Sequence, residues 1–513
     1  MSRHPIQFTP AFFSCIFSSD KPAATSTRYY KRKNVVSADV MVGKSVINML
    51  KMVRKSVDNL RRYTYNKDIN RFIVRADVMK RRTDMQRFLM EGLVEWKNKN
   101  NRKPLILKGA RQVGKTWLMK EFGKLHFEKC AYVSFYNNQR MKRVFEEDYD
   151  IQRIITNINI ETHMEVTPGN TLIIFDEIQE APKALESLKY FCENAPEYAV
   201  IAAGSLLGVA IHAGVSFPVG KVDMLELHPM NFREFLLAIG EVQLEELLEK
   251  GDFTLIGDFK ERFAFALKNY YYVGGMPEVV SFYSEHKDYD EVRNLQNAIL
   301  EQYENDFGKH TGAGELPRIR MVWNSIPLQL AKENKKFFFG KIKEGARAKD
   351  FEVAIEWLQD CGLIKKVNKV SKPAVPLKAY IDFSAFKLYL LDVGLLGALS
   401  ELDAESILEG NDIFTEFKGA LTEQYVLQQI VSDTKYIPYY YAGEKSTYEV
   451  DFLVQKGKGV VPIEVKAEDN LRSQSLKVYC EKYKPEYAVR TSMSNYREQE
   501  WMVNIPLYAI KCL

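Results

Sequence analysis

The run Gly109-Ala110-Arg111-Gln112-Val113-Gly114-Lys115-Thr116 constrains this chain more than any other feature. It fits G-x-x-x-x-G-K-S/T in full. The apolar stretch Pro104 to Leu107 precedes it, and a helical pattern, TWLMKEFGK, follows. Strand, glycine loop and helix in that order make an anion cradle. The glycines permit unusual backbone angles and close approach of the main chain to a ligand. Loop N–H groups and the helix N-terminus then face phosphate oxygens. Lys115 is placed to reach the β/γ oxygens, and Thr116 to offer a hydroxyl to Mg²⁺. All eight residues are candidate nucleotide-binding positions, and ATP and Mg²⁺ are the expected ligands.

A partner motif lies about 60 residues further on, in Leu172-Ile173-Ile174-Phe175-Asp176-Glu177. An apolar strand ending in Asp-Glu fits a Walker B site. Asp176 would hold Mg²⁺ through its hydration shell, and Glu177 would polarise the attacking water as general base. Ser205 ends the predicted strand YAVIAAGS. A hydroxyl there can sense the γ-phosphate, and a plain strand-end serine is the alternative. Spacing does not locate an arginine finger. Arg233, Arg318, Arg320 and Arg347 are candidates, each with a surface or packing role as its alternative.

Strands and helices alternate through this region. MQRFLMEGLVEWKN (85–98) has helical spacing. CAYVSF and TLIIF read as strands, ALESLKYFCENA as a helix, and YAVIAAGS as a further strand. Near-continuous apolar strands between helices indicate a parallel sheet covered on both faces. From about 231 to 340 the pattern is helical, with a break at Gly274-Gly275-Met276-Pro277. AKDFEVAIEWLQDCGLIKKV then predicts a helix ending at Gly362 and running into a strand. A Pro-containing turn near Lys372–Pro376 and a second strand near Leu377–Ile381 complete the sketch of a winged helix. Its helix carries Asp350, Glu352, Glu356 and Asp360, a poor electrostatic match for DNA. Protein contact is the favoured reading there. From 411 onward the predicted order is helix, strand, strand, strand, helix.

The last part of the chain holds a second group of charged residues. Glu423 lies on the predicted helix FTEFKGALTEQYVLQQI. Asp451 lies on the alternating strand Glu449-Val-Asp451-Phe-Leu-Val, and Glu464 and Lys466 on Val461-Pro-Ile-Glu464-Val-Lys466. Residues i and i+2 of a strand share a face, so Glu464 and Lys466 point the same way. Asp451 and Glu464 could bind one or two Mg²⁺, with Glu423 supplying a further oxygen. Lys466 would orient water or stabilise charge on a phosphate. That is the logic of metal-dependent phosphodiester hydrolysis. The alternative is the wet face of a strand.

Charge divides the chain. Residues 1–80 hold 16 Lys/Arg and 5 Asp without a Glu, a net +11. The remainder has 72 − 16 = 56 basic and 67 − 5 = 62 acidic residues, a net −6. Residues 1–78 are expected to be a disordered or over-extended basic segment, with Met79 as the start of the body. A basic arm that binds nucleic acid is the alternative. Six dispersed cysteines without a CxxC argue against a zinc ribbon and for reduced thiols in a cytoplasm. No apolar run reaches the roughly 18–20 residues of a membrane helix.

From about Met79 onward the chain resembles a family of bacterial and archaeal AAA-type ATP-binding proteins. The resemblance is carried by LILKGARQVGKTWLMKEF, LIIFDEIQEAP, LELHPMNFREFL, YVGGMPEVV, ARAKDFEVAIEWLQDCGLI, AFKLYLLDVGLL, EVDFLV and PIEVKAED. It implies an α/β fold, with a P-loop parallel sheet (AAA+ core) followed by a helical lid, a winged helix and a C-terminal restriction-endonuclease-like domain of PD-(D/E)xK type. The implied boundaries are a basic extension at 1–78, the AAA+ core at 79–230, the lid at 231–340, the winged-helix-like segment at 341–400 and the nuclease-like domain at 401–513. The resemblance places Gly114, Lys115 and Thr116 on nucleotide and pairs Asp176 with Glu177. It puts Asp451, Glu464 and Lys466 in the nuclease-like positions. That signature often has Pro before its first Asp, whereas Val450 stands here. The family carries no established substrate.

Three functional readings result. The first is an Mg²⁺-dependent AAA+ ATPase whose nucleotide state controls a nuclease-like domain acting on DNA. The second is an ATP-gated switch whose nuclease-like fold is non-catalytic and binds protein or nucleic acid. The third is a DNA-binding regulator working through the winged helix and basic segment. DNA, a second copy of the chain and a protein at the winged helix are the candidate partners; a membrane is not.

Overall fold

Five short strands set the position of the nucleotide motif. They are β1 (Leu105–Lys108), β2 (Lys129–Ser134), β3 (Thr171–Asp176), β4 (Ala199–Ala203) and β5 (Asp223–Glu226). The computed structural model describes residues 85–205, 208, 216–309, 314–332, 335–408, 415–443, 448–468 and 473–513. The expectations for 1–78 and Met79 fall outside the described residues. The strands form one parallel sheet in the order β2-β3-β4-β1-β5.

Burial explains why these segments are strands. Every residue of β3 and β4 is buried. Successive side chains leave on opposite faces. Leu172, Ile174, Ala199 and Ile201 enter one core, and Ile173, Phe175, Val200 and Ala202 enter the other. The first core is covered by Leu89–Lys97 and Lys115–His126, through Leu93, Trp96, Leu118 and Phe122. The second is covered by Gln139–Glu147, Ile151–Thr162 and Pro182–Asn194. Sequence reading had no place for the first two of these three helices. Their signals are short but physical. Asn138 and Asp150 cap them, accepting from the backbone N–H of Met141 (3.0 Å) and Arg153 (2.7 Å). Strand β5 was also missed, because its four residues alternate in burial at a sheet edge and form no apolar run.

The middle of the chain is helical, as expected. A capping box between Asn231 and Glu234 opens Phe232–Ala238. Helices Lys260–Val273, Pro277–His286, Tyr289–Lys309 and Leu316–Leu330 follow in order. Trp323 is fully buried, with its ring 6.3 Å from Tyr303 and 5.7 Å from Phe307.

The helix Glu352–Asp360 leads into a second sheet of eight strands. These are β6 (Ile364–Val370), β7 (Ile381–Leu390), β8 (Tyr439–Ala442), β9 (Glu449–Lys456), β10 (Gly459–Val465), β11 (Val489–Ser492), β12 (Arg497–Glu498) and β13 (Val503–Pro506). Their order is β12-β13-β11-β10-β9-β8-β6-β7. The expected helix, strand, turn, strand order is present, but β7 begins later than predicted. Residues Leu377–Tyr380 form a 3₁₀ turn instead, after a cis Val375–Pro376 bond. The β6–β7 hairpin joins the other six strands through one parallel pairing, Lys369 with Tyr440. Helices Thr415–Asp433 and Gln474–Tyr483 accompany this sheet. The expected run of helix, three strands and helix is found, and β11 to β13 extend it.

One buried carboxylate ties these parts together. Asp392 is fully buried. Its Oδ2 accepts from the backbone N–H of Gly275 (2.6 Å) and from the Gln428 amide (2.9 Å). Its Oδ1 accepts from Leu395 N (3.1 Å) and so caps the helix Val393–Leu399. Gly275 packs on the Met230 backbone, where a Cβ would collide. The glycine break, the LLDVG stretch and the helix of Glu423 therefore meet at one point. Removing this carboxylate takes the acceptor from three buried donors. Asp392→Ala is expected to destabilise the protein by about 3 kcal/mol, read as a fall of several degrees in melting temperature.

Candidate functional site

In parallel α/β sheets, ligands bind beyond the carboxyl ends of the strands. Here β4 lies between β1 and β3, so the glycine loop, Ser205 and Asp176 all emerge at that edge. Two glycines shape the loop. Gly114 has φ +93° and heads the helix Lys115–His126. At Gly109 (φ +149°) a Cβ would collide with the Leu227 carbonyl. Neither position accommodates a side chain without strain.

The sequence-predicted residues come together around this loop. The Lys115 ammonium donates to the carbonyls of Gly109 (2.9 Å) and Ala110 (2.7 Å). The Thr116 hydroxyl donates to Asp176 Oδ2 (2.7 Å). Glu177 follows Asp176 with a left-handed backbone, φ +52°. For a residue other than glycine this is a strained conformation of the kind found at working sites. Ser205 lies two residues beyond β4 and is half-buried.

Other residues hold the site and carry no sequence signal of their own. Arg87 donates to the Val113 carbonyl (2.7 Å) and pairs with Glu234 (3.2 Å). It also donates to the His228 carbonyl (2.5 Å). The helix Tyr289–Lys309 grips the loop from another side. Its Tyr303 donates to the Arg111 carbonyl (2.8 Å), its Gln302 accepts from Gln112 (2.8 Å), and its Asp306 pairs with the Arg111 guanidinium. Tyr132 on β2 donates to Asp176 Oδ2 (2.9 Å), and Gln179 donates to Glu177 (2.6 Å). Apart from Gln179 and Glu177, these contacts join residues far apart in sequence, which is why spacing does not reveal them.

Arg233 is a packing residue. It is buried, pairs with Glu245 (2.5 Å), Glu249 and Asp433 (3.2 Å), and its guanidinium lies 4.4 Å from the Phe88 ring centre. Arg318, Arg320 and Arg347 are exposed.

The C-terminal carboxylates also gather, but each finds a partner within the protein. Strands β9 and β10 are antiparallel, and Asp451 and Glu464 lie at the same end of the pair. Asp451 Oδ2 accepts from Val465 N (2.8 Å), and Glu464 Oε1 pairs with Lys466 (2.8 Å). Glu423 Oε1 pairs with Lys335, and its Oε2 accepts from the Tyr389 hydroxyl (3.1 Å). Lys387, on β7, is fully buried between Glu423 (3.6 Å) and Glu449 (2.6 Å). Burial, with Glu423 and Glu464 close by, pushes Asp451 well above the usual carboxylate range. Burial alone would also raise Glu423, but Lys335 and Lys387 outweigh it and hold that carboxylate down. Sequence reading found Glu423, Asp451, Glu464 and Lys466; it missed Lys335 and Lys387. Among the described residues, no three His, Cys, Asp or Glu side chains are grouped to hold a metal ion.

Comparison with known proteins identifies the first part of the chain. Residues 101–236 match the family model for an AAA domain. Residues 264–406 and 418–510 match two families described as domains of unknown function, DUF8612 and DUF4143. No curated protein matches the chain. Among solved structures, a Walker-type ATPase of Pyrococcus abyssi is 14% identical, with a TM-score of 0.40, over 62% of this chain and 96% of its own. A point variant of RuvB from Thermotoga maritima is 12% identical, with a TM-score of 0.27, over 54% of this chain and 88% of its own. The ORC1 protein of Aeropyrum pernix, solved in complex with DNA, is 14% identical, with a TM-score of 0.24, over 61% and 90%. The chain thus carries a P-loop AAA domain on a parallel α/β sheet. No described helix is long and apolar enough to cross a membrane.

The Lys115 ammonium allows a direct check. Burial pushes its pKa down to about 8, against the pull of Glu177 and Asp176. Bound phosphate favours the charged form and raises that pKa again. Affinity for ATP is then full below this pH and weakens above it, by up to about tenfold per pH unit. Titration calorimetry on both sides of the value is expected to show this fall. A flat profile would contradict the assignment of Lys115.

Proposed function

We propose that this chain binds Mg·ATP and hydrolyses it, and that nucleotide state is passed to a non-catalytic C-terminal module. The carrying observation is the convergence of Lys115, Thr116, Asp176 and Glu177 at one sheet edge. Thr116 and Asp176 fit Mg²⁺, because their oxygens already meet at 2.7 Å. The ion would supply charge neutralisation on the β and γ oxygens. The loop amides and Lys115 bind the triphosphate. Glu177 takes the proton of the attacking water, and Ser205 senses the γ-phosphate.

The path to the C-terminal module runs through the helix Tyr289–Lys309. One end of its contact set touches the loop, through Tyr303 and Asp306. Another reaches the Asp392 junction, where Gln296 donates to the carbonyls of Tyr272 and Val273. A change at the loop is thereby felt where the C-terminal helix docks.

The C-terminal carboxylates, as arranged, do not fit a divalent cation. Lys335, Lys387 and Lys466 already supply the positive charge that a metal would bring. This favours the switch reading over strand cleavage. The module then serves to bind a protein or a nucleic acid, on a fold of winged-helix and nuclease-like type.

The experiment is ATP turnover by purified protein, with and without DNA. Lys115→Ala is expected to abolish nucleotide binding. Glu177→Gln is expected to keep binding while kcat falls by about 10²- to 10⁴-fold. Binding without turnover in the wild type would remove the hydrolase reading. For the C-terminal module, plasmid DNA with Mg²⁺ or Mn²⁺ is expected to stay intact. Nicking that Asp451→Ala abolishes would reinstate the nuclease.

A further inference from the structure

Hydrolysis in P-loop ATPases gains most from a cation on the transferring phosphoryl group, beyond what the loop lysine and Mg²⁺ provide. Arg233 is committed to packing. Arg318, Arg320 and Arg347 lie outside the AAA-domain match. Another arginine is already at the site. Arg111 stands four residues before Lys115, in the glycine loop itself. Its side chain is 46% exposed, so it can move without opening the core. Its guanidinium pairs with Asp306 of the helix Tyr289–Lys309. It is also close enough to Lys115 and Glu177 for both charges to interact with it.

We propose that Arg111 is a catalytic residue: its guanidinium leaves Asp306 when Mg·ATP binds and contacts the γ-phosphate, acting as an arginine finger within its own chain. This rests on the hydrolase reading above. The loop backbone around it is fixed on both sides, at the Arg111 carbonyl by Tyr303 and at the Val113 carbonyl by Arg87. Only the side chain has to travel. The planar fork of arginine suits two phosphoryl oxygens at once.

The chemistry balances without a further reactant. The water oxygen forms a bond to the γ-phosphorus as the bond from phosphorus to the β–γ bridging oxygen breaks. ADP leaves with that electron pair, and the water proton passes to Glu177 and then to solvent. Arg111 stabilises the charge on the phosphoryl oxygens and exchanges no proton. The departure of Arg111 also breaks its pair with Asp306. The same event that completes the site therefore alters the grip of the helix on the loop.

The test compares wild type with Arg111→Ala, Arg111→Lys and Asp306→Asn. Readouts are kcat, KM and the affinity for a fluorescent ATP analogue. Arg111→Ala is expected to lower kcat by at least about 10²-fold, toward the 10³–10⁵ range of known fingers, with KM and analogue affinity within about fivefold. Arg111→Lys should recover only part of kcat, because an ammonium keeps the charge but loses the fork. Asp306→Asn alters the grip of the helix on the loop, so it serves as a second background, in which Arg111→Ala should still lower kcat by at least about 10²-fold. Turnover per chain should stay constant on dilution, since the finger is not borrowed from a neighbour. An Arg111→Ala protein with kcat within threefold of wild type overturns the proposal. So does specific activity that falls on dilution. If the wild type binds ATP without turnover, the hydrolase reading fails separately. The affinity for Mg·ADP with aluminium fluoride then decides on Arg111. A loss of about 100-fold in Arg111→Ala supports the contact, and an unchanged affinity removes it.

Discussion

The arrangement of the whole body turns on one buried, fully hydrogen-bonded carboxylate. An isolated charge in a protein interior is expensive, and a paired or hydrogen-bonded one is tolerable. Asp392 meets that condition only when three segments arrive together. Gly275 brings the helices Lys260–Val273 and Pro277–His286, Leu395 brings the helix that Asp392 caps, and Gln428 brings the helix Thr415–Asp433. Gln428 also donates to the Tyr270 hydroxyl, which donates in turn to the Met230 carbonyl beside the AAA sheet. The requirement to satisfy one charge thus sets the docking of all three parts.

Much of the AAA sheet was legible because its signals are local. The glycine loop, the apolar strands β1, β3 and β4, and the Asp-Glu at the end of β3 all occupy short contiguous stretches. Strand β5 escaped because an edge strand has no run of buried residues to announce it. The helices 139–147 and 151–162 were missed although their buried residues, Met141, Val144 and Phe145 in one and Ile151, Ile154, Ile155 and Ile158 in the other, follow helical spacing. At the site, the residues of the two motifs were legible and the residues that hold them were not. Arg87 reaches Val113 across 26 residues, and Arg111 meets Asp306 across 195. No periodicity encodes such pairs.

The C-terminal group shows the limit of reading charges by spacing. Glu-x-Lys on a strand and an Asp on its neighbour were found where expected. What decides their chemistry is the neutralising set. Lys387 lies on β7, in the hairpin, and Lys335 precedes it, so both come from outside the segment that holds the carboxylates. Because β6 and β7 continue the same sheet, the hairpin is part of this site's wall. A lysine buried on one strand and its carboxylates on others are a single electrostatic unit. Three ammonium groups and four carboxylates leave it close to neutral.

The packing around Tyr303 has an optical consequence. Its hydroxyl holds the Arg111 carbonyl, and its ring stands edge-on to Trp323, fully buried in the same core. Indole emission depends on the polarity and motion of what surrounds the ring. A rearrangement of the glycine loop large enough to shift Tyr303 would therefore alter the light emitted by Trp323.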